Sequence, residues 1–406
     1  MTTQNSNNMT ALQGIRILEI STMVAAPFTG KLLASLGADV VKIEHPRTGD
    51  PSRRRGPFPS DDPHRERSGT FLYLNTGKRS VCLNLEEAQG RTILNQLVGL
   101  SDVVIHDKQP NMANTLGLLP DNLFQVNPKL IISSVTPYGS TGPDSNKYAK
   151  DINIFHSAGE GNLLPNGLAL EHFPERAPIT AGSLMGSYQG GLTAAVGILG
   201  AIFAKINGQI AQTVDCSIQE AQLNIGYLPI QRLESEGFEE TRFSRFFRVG
   251  GVMPTDDGYI ELLTLEPRQW EGLGKYLGEP DWASPDKFSD PATYGEGINE
   301  NVRSWTKIRN KNDIYHDGQA LGVPFAPYYT PGEIFENVHQ RSRGFFKKLR
   351  HPEAGDYEYA NLPFNLPETP TILKRAPLLG EHTKEIVSKL GYSKSEIIML
   401  YRSGTI

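Results

Sequence analysis

The chain has 406 residues, 40 Lys+Arg against 45 Asp+Glu and a formal net charge of -5. With 38% hydrophobic and 21% charged residues it can bury a sizeable core, and the absence of a long basic run argues against a nucleic-acid partner. Two cysteines, Cys82 and Cys216, are too few for a disulfide framework or a zinc ribbon. Residues 1–10 lack the apolar core of a signal peptide, and the longest apolar run, 192–204, is short for a bilayer, so a cytoplasmic protein away from membranes is expected.

In chain order, residues 15–20 (IRILEI) read as a short strand leading through Pro27 into a helical stretch, 28–36, that Gly37 stops. A second strand follows over 38–44. The pattern then repeats: strand at 80–85, helix at 86–100, strand at 102–105, a short helix at 121–126 and a strand at 130–135. Strand–helix–strand units with short links predict parallel pairing, hence an α/β domain resembling a Rossmann-type fold. A Gly- and Ser-punctuated segment, 139–143, and a polar loop around 165–178 precede a long apolar helix over 190–204. Its Gly191, Ala194, Ala195, Gly197, Gly200 and Ala201 would let another backbone come close, which predicts a buried or interface position. From about 224 to 331 the composition turns aromatic and charged, with many turn signals, and reads as a smaller α+β domain. Residues 381–401 read as two amphipathic helices broken at Gly391.

The familiar chemical signatures are absent: no P-loop, G-x-G-x-x-G after a strand, G-x-S-x-G, H-E-x-x-H or C-x-x-C, and no metal-ligand spacing. His106, closing a strand, has the chemistry of a base, although a lone histidine there is more often structural. Arg53, Arg54 and Arg55 with Arg65 and Arg67 form a cluster suited to phosphate, and equally to a solvated loop.

Taken together, the segments resemble the class III CoA-transferases. The blocks that carry the likeness are Leu12 to Glu19, Ala26-Pro27-Phe28 with Leu36 to Glu44, Phe71 to Leu85, Asn127 to Ile131, Val214 to Ser217 with Glu220-Ala221, and Ala376 to Thr383 with Leu390-Gly391-Tyr392. The resemblance implies a large Rossmann-like domain built from both chain ends (1–223 and 332–406), an inserted small domain (224–331), and two subunits interlocked as a dimer. It implies an acyl-CoA thioester as substrate, with no tightly bound cofactor. In these transferases an Asp carboxylate attacks the thioester and carries the acyl group as a mixed anhydride while CoA leaves. The resemblance further implies CoA-binding positions at Val24, Asn75, Lys78, Arg79, Lys108 and Tyr138. Tyr138, Phe155 and Tyr188 are candidates for an acyl pocket.

Two departures bear on function. The position matching the acyl-carrying Asp is Ser187, and no acid lies between Arg176 and Lys205. In the loop after Ile105, Gln109 and Thr115 stand where relatives place a positive charge, leaving Lys108 as the available cation, and only Gly250-Gly251 remains of a longer glycine-rich loop. The resulting expectation is a subunit of a heteromeric CoA-transferase of the succinyl-CoA:benzylsuccinate type, without a catalytic residue of its own and paired with a related subunit that keeps the Asp. The alternatives are an isomerase, racemase or lyase acting on CoA esters, with Asp151 or Glu160 as base, and a non-enzymatic acyl-CoA-binding scaffold. Racemisation is disfavoured because the His of that branch is replaced by Lys150. The bland roles for the two acids are a helix cap for Asp151 and an exposed loop acid for Glu160.

Overall fold

Successive strands of the N-terminal half are buried on both faces, which requires helices above and below the sheet. The computed structural model describes residues 9–208, 211–244 and 249–406. Through residue 126 the elements are β1 (Arg16–Ile20), α1 (Ala25–Ser35), β2 (Asp39–Glu44), α2 (Gly69–Leu74), β3 (Arg79–Cys82), α3 (Ala88–Gly99), β4 (Val103–His106), α4 (Pro110–Leu116) and α5 (Pro120–Val126). There follow β5 (Ile131–Thr136), α6 (Asp151–Ser157), α7 (Gly167–His172), α8 (Met185–Ile206), β6 (Thr213–Ser217) and α9 (Ile218–Ile225). The six strands form one all-parallel sheet in the order β3-β2-β1-β4-β5-β6, the doubly wound order in which the chain reverses direction between β1 and β4.

Side chains alternate across this sheet. Ile17, Val40, Val103, Ile105 and Ile131 meet α1 and α8 on one face. Leu18, Ile20, Val41, Ile43, Val104 and Ile132 meet α3 and the helices Thr383–Lys389 and Lys394–Ser403 on the other. The last of these helices opens with a capping box between Ser393 and Glu396.

Among the described residues the chain divides into two units. The first holds residues 9–158, 181–226 and 340–406, and includes the antiparallel hairpin β10 (Phe346–His351) and β11 (Gly355–Ala360), reached through β7 (Gly251–Thr255), β8 (Gly258–Leu262) and β9 (Phe325–Pro327) of the second. The second unit holds 159–180 and 227–339, with β7–β9 antiparallel around a core of Met253, Ile260, Leu262, Leu273, Val302 and Phe325. Its composition differs from the expected 224–331, because residues 159–180 belong to it. Glu171 pairs with Arg303 at 2.8 Å, the Asn162 carbonyl accepts from the Arg242 N–H at 3.2 Å, and α7 packs on β7.

The apolar helix is also longer than its hydrophobic run suggested. α8 spans 22 residues and, among the described residues, is the one helix long and apolar enough to cross a membrane. Here it packs against α1, α9, β5 and β6. Its glycines make that possible. A Cβ on Gly191 would lie 2.4 Å from the Ala25 carbonyl oxygen, and the Gly191 carbonyl accepts from Thr29 Oγ1 at 2.8 Å. Gly200, in the same helix, faces open space. Gly191→Ala is therefore expected to lose about 1–3 kcal/mol from overpacking, whereas Gly200→Ala gains up to about 1 kcal/mol from helix propensity. Urea unfolding of the pair checks this, and equal shifts would mean that the close approach is unimportant.

Candidate functional site

In doubly wound sheets ligands sit outside the carboxyl ends of the strands where the strand order reverses. Here that crevice is bounded by the loops after β1 and β4. Asp107 occupies it. Its Oδ2 accepts from the Thr22 N–H at 2.6 Å and from Thr22 Oγ1 at 2.8 Å, and its Oδ1 pairs with Lys108 Nζ at 2.5 Å. Lys108 is thus not a free cation: the neighbouring carboxylate takes its charge, and an incoming phosphate would meet Asp107 as well. Val24 is buried at the start of α1, and the half-buried Tyr138 follows β5. His106 is buried, and desolvation pulls its imidazole down to about 4, so it is neutral at physiological pH. Its Nδ1 accepts from the Lys108 N–H at 3.3 Å. After β5, the Gly-Ser loop is tied down by Asp215, which accepts from Ser134 Oγ, Ser140 Oγ and the Ser140 N–H at 2.8–3.0 Å.

The first turn of α8 carries the second feature. Leu184, its N-cap residue, has φ 55° and contributes no capping side chain. Asp151, the first residue of α6, supplies the acceptor instead: its Oδ1 takes the Ser187 N–H at 2.7 Å and the Ser187 hydroxyl at 2.8 Å. A carboxylate is well placed against the positive end of a 22-residue helix. The fold therefore brings Ser187 and Asp151 together, 36 residues apart in sequence, while Glu160 opens a short 3-10 turn in the second unit.

Tyr188 follows Ser187 and meets Phe28 edge-on, with ring centroids 4.9 Å apart, and Tyr73 at 6.4 Å. Lys31, one turn along α1 from Phe28, lays its ammonium 4.0 Å from the Tyr73 ring centre. Of the three aromatics expected at an acyl pocket, Tyr188 joins this cluster, Phe155 is in the core, and Tyr138 follows β5. Phe28 and Tyr73 fall in blocks that carry the family resemblance, which gave them no role of their own, and Lys31 showed only as a lysine within an otherwise apolar helical stretch.

Several of the expected binding residues are engaged by protein groups. Lys78 is 3% exposed, and its three donors are spent on Glu19 Oε2 (2.7 Å), the Pro27 carbonyl (2.7 Å) and Asn75 Oδ1 (2.9 Å). Asn75 is equally buried and donates its own amide to the Phe71 carbonyl. Arg79 pairs with Asp39 at the amino ends of β3 and β2, the opposite end of the sheet from the crevice. Of the arginine cluster, Arg53 is neither solvated nor free for phosphate. It is fully buried, bidentate to Glu44 at 2.7 and 2.9 Å, paired with Glu66 at 2.6 Å and stacked 3.6 Å over Phe71. Beside it, Lys42 bridges Glu19 and Asp50, both at 2.9 Å. Burial alone would lower the Lys42 amine, but Asp50, Glu19 and Glu44 hold it above the ordinary lysine range.

The second unit contains a cleft of about 830 Å³ lined by Gly250, Gly251, Glu171, Glu261, Glu296 and Arg303 among others. Arg303 is spent on Glu171, and Glu261 accepts from the Tyr328 hydroxyl at 2.7 Å, so the lining is predominantly acidic and unsuited to phosphates.

Comparison with known proteins places this geometry in a family. The profile described as CoA-transferase family III matches residues 12–383. The chain belongs to CoA-transferase family III. Among its relatives, a formyl-CoA:oxalate CoA-transferase of Bradyrhizobium diazoefficiens is 28% identical over 427 aligned residues, covering 98% of this chain and 97% of the relative. A formyl-CoA:oxalate CoA-transferase of Rhodopseudomonas palustris is 27% identical, with 97% of each chain covered. Among solved structures, a CAIB/BAIF family protein from Brucella suis superposes with a TM-score of 0.81 at 25% identity, covering 94% of this chain and all of that one. A Mycobacterium tuberculosis protein at 23% identity, TM-score 0.79, with 93% and 99% covered, shares the fold. CoA thioesters are the substrates of this family, and the parallel α/β sheet described above is its architecture.

Proposed function

We propose that this chain is a subunit of a heteromeric CoA-transferase, keeping the family scaffold while a related partner chain carries the acyl group. The observation behind this reading is position 187. The family resemblance puts the acyl-carrying carboxylate there, and this chain has a serine whose hydroxyl donates to Asp151. In the partner, an Asp carboxylate would attack the thioester carbonyl, the C–S bond would break with CoA leaving as thiolate, and the acyl group would remain as a mixed anhydride. The thiolate then attacks the anhydride at the Asp carbonyl, releasing the first acid and leaving CoA on the Asp. The acceptor acid finally takes CoA through its own anhydride. Ser187 offers no carboxylate for these steps, and a serine ester is a poorer acyl donor than an anhydride.

Two further features support the reading. Lys108, the remaining cation of the loop after β4, is engaged by Asp107. On α8, Leu192, Val196, Phe203 and Ile206 form an exposed apolar stripe, 48–73% accessible, suited to an interlocked partner. A CoA-ester isomerase or lyase has less support, because Asp151 spends Oδ1 on Ser187 and Glu160 belongs to the second unit.

Native mass spectrometry of the chain, alone and co-expressed with a family member that retains the Asp, tests the proposal. Succinyl-CoA and benzylsuccinate form the first donor–acceptor pair to assay. The expected result is a mixed assembly that binds CoA and turns over, and no transfer by the lone chain. Steady transfer by the lone chain overturns it, as does a homodimer that binds acyl-CoA and ignores the related subunit.

A further inference from the structure

Three donors converge on one carboxylate where the order of the strands reverses. The loop after β1 supplies the Thr22 N–H at 2.6 Å and the Thr22 hydroxyl at 2.8 Å, both to Asp107 Oδ2. The loop after β4 supplies the Lys108 ammonium to Oδ1 at 2.5 Å. A backbone N–H, a hydroxyl and an ammonium aimed at one carboxylate make an anion site, and the group they hold shows what they take. Here the anion belongs to the protein. The Asp107 and Lys108 side chains are 17% and 20% accessible, so solvent reaches this site.

The neighbouring carboxylates are placed differently. Asp50, which holds the Met23 N–H next to Thr22, is answered by Lys42 at 2.9 Å, and both side chains are inaccessible. Asp215 on β6 accepts from Ser134 and Ser140. His106 adds no charge, since burial keeps its imidazole neutral, and its Nδ1 accepts the Lys108 N–H at 3.3 Å. Removing the Asp107 carboxylate alone would therefore leave the Lys108 charge unanswered and the two Thr22 donors without an acceptor. Both loops would keep their other ties, to Asp50 and to His106.

We infer that Asp107 closes the crevice of this chain to anionic ligands by standing in for the anion, so that Thr22 and Lys108 form a phosphate-binding site that opens only when the carboxylate is removed. An incoming phosphate has to displace a tethered carboxylate and then lie beside its charge. That cost falls on phosphate-bearing ligands and not on neutral ones, which makes Asp107 a determinant of specificity. As the reason for CoA being held by a partner chain, the inference rests on the transferase reading above; as a block to anion binding, it is tested on the lone chain without turnover.

The probes are CoA and pantetheine, which shares the thiol arm of CoA but carries no phosphate, each titrated calorimetrically into the full-length chain. The parent should bind CoA no more tightly than pantetheine. Asp107→Ala should bind CoA at least tenfold more tightly than the parent does, with pantetheine unchanged, and the gain should shrink as salt rises. Asp107→Asn, which keeps an acceptor for Thr22 but no charge, should melt like the parent and gain several-fold. Adding Lys108→Met to Asp107→Ala should remove the gain. CoA binding by the parent as tight as by Asp107→Ala, equal gains for CoA and pantetheine, a gain that survives Lys108→Met, or no gain in Asp107→Asn overturns the inference. A mixed assembly that never forms would overturn the transferase reading alone. A mixed assembly that turns over, while the parent chain by itself binds CoA tightly, would overturn this inference alone.

Discussion

Lys42→Met should cost the first unit about 3–5 kcal/mol, the range expected when one member of a buried ion pair is removed and the other is left uncompensated. Glu19 and Lys42 face one another in register on adjacent parallel strands, on the face covered by α1, and both side chains are inaccessible to solvent. The Lys42 ammonium also pairs with Asp50 Oδ2 at 2.9 Å and donates to the Ser21 carbonyl at 2.8 Å. Without it Glu19 keeps Lys78, but Asp50 retains only the N–H groups of Met23 and Ser52 on its Oδ1. The loop after β1, which borders the crevice, is held partly by these contacts, so its ordering should suffer together with stability. Arg79→Met is the comparison. That pair is partly exposed, 28% and 44% for the two side chains, and should be worth less than about 1 kcal/mol. Urea midpoints for the two variants decide the matter. Similar small losses would mean that the buried network is energetically neutral and that its role lies in specifying the loop conformation.

Ser187→Asp should fail to create a working transferase, and the geometry supplies the reason. Asp151 Oδ1 lies 2.8 Å from the Ser187 hydroxyl, so the substitution sets two carboxylates against each other where one hydroxyl donor stood. Two such groups cannot both ionise cheaply, and one of them should titrate well above the ordinary carboxylate range. The sign follows from linkage: a carboxyl whose folded-state pKa is raised has its stabilising effect at low pH and loses it as pH rises through that value. The variant should therefore lose about 1–3 kcal/mol relative to the parent at neutral pH, from the unmade hydrogen bond and the like-charge contact, and recover on acidification. Adding Asp151→Asn should restore stability at neutral pH, because the amide can donate to the new carboxylate. Transfer activity should remain at background in the single variant, with Lys108 of the loop after β4 still held by Asp107. Ordinary transferase rates from Ser187→Asp alone would show that neither Asp151 nor that loop matters.

The Lys42 and Ser187 predictions concern different parts of one arrangement. The sheet places the loops after β1 and β4 side by side, and in this chain both are tied by protein carboxylates, Asp50 and Asp107, acting on Met23, Thr22 and Lys108. The first turn of α8 is tied in the same manner by Asp151. Positions at which an anionic substrate would be expected to find free donors are thus already satisfied internally.

Much of this could be read from the amino-acid order. Alternating β-rich and helical segments determined a parallel α/β sheet, since short links allow only crossover connections of one hand. The run of small residues determined that α8 would be closely approached, and the ordered blocks from Leu12 to Tyr392 determined the family. The lack of any acid between Arg176 and Lys205 is likewise a property of the sequence alone. What only the tertiary structure decided is which charges answer which. The pairing of Lys78 with Glu19 is visible only in the fold, and Arg53 meets the Pro377 carbonyl 324 residues away. The Asp151–Ser187 contact and the transfer of residues 159–180 to the second unit are of the same kind. Hydrophobic periodicity reports the local backbone and the face it buries. The partner of a buried charge is set by strand register and by crossovers between distant segments, and spacing along the chain carries no record of either.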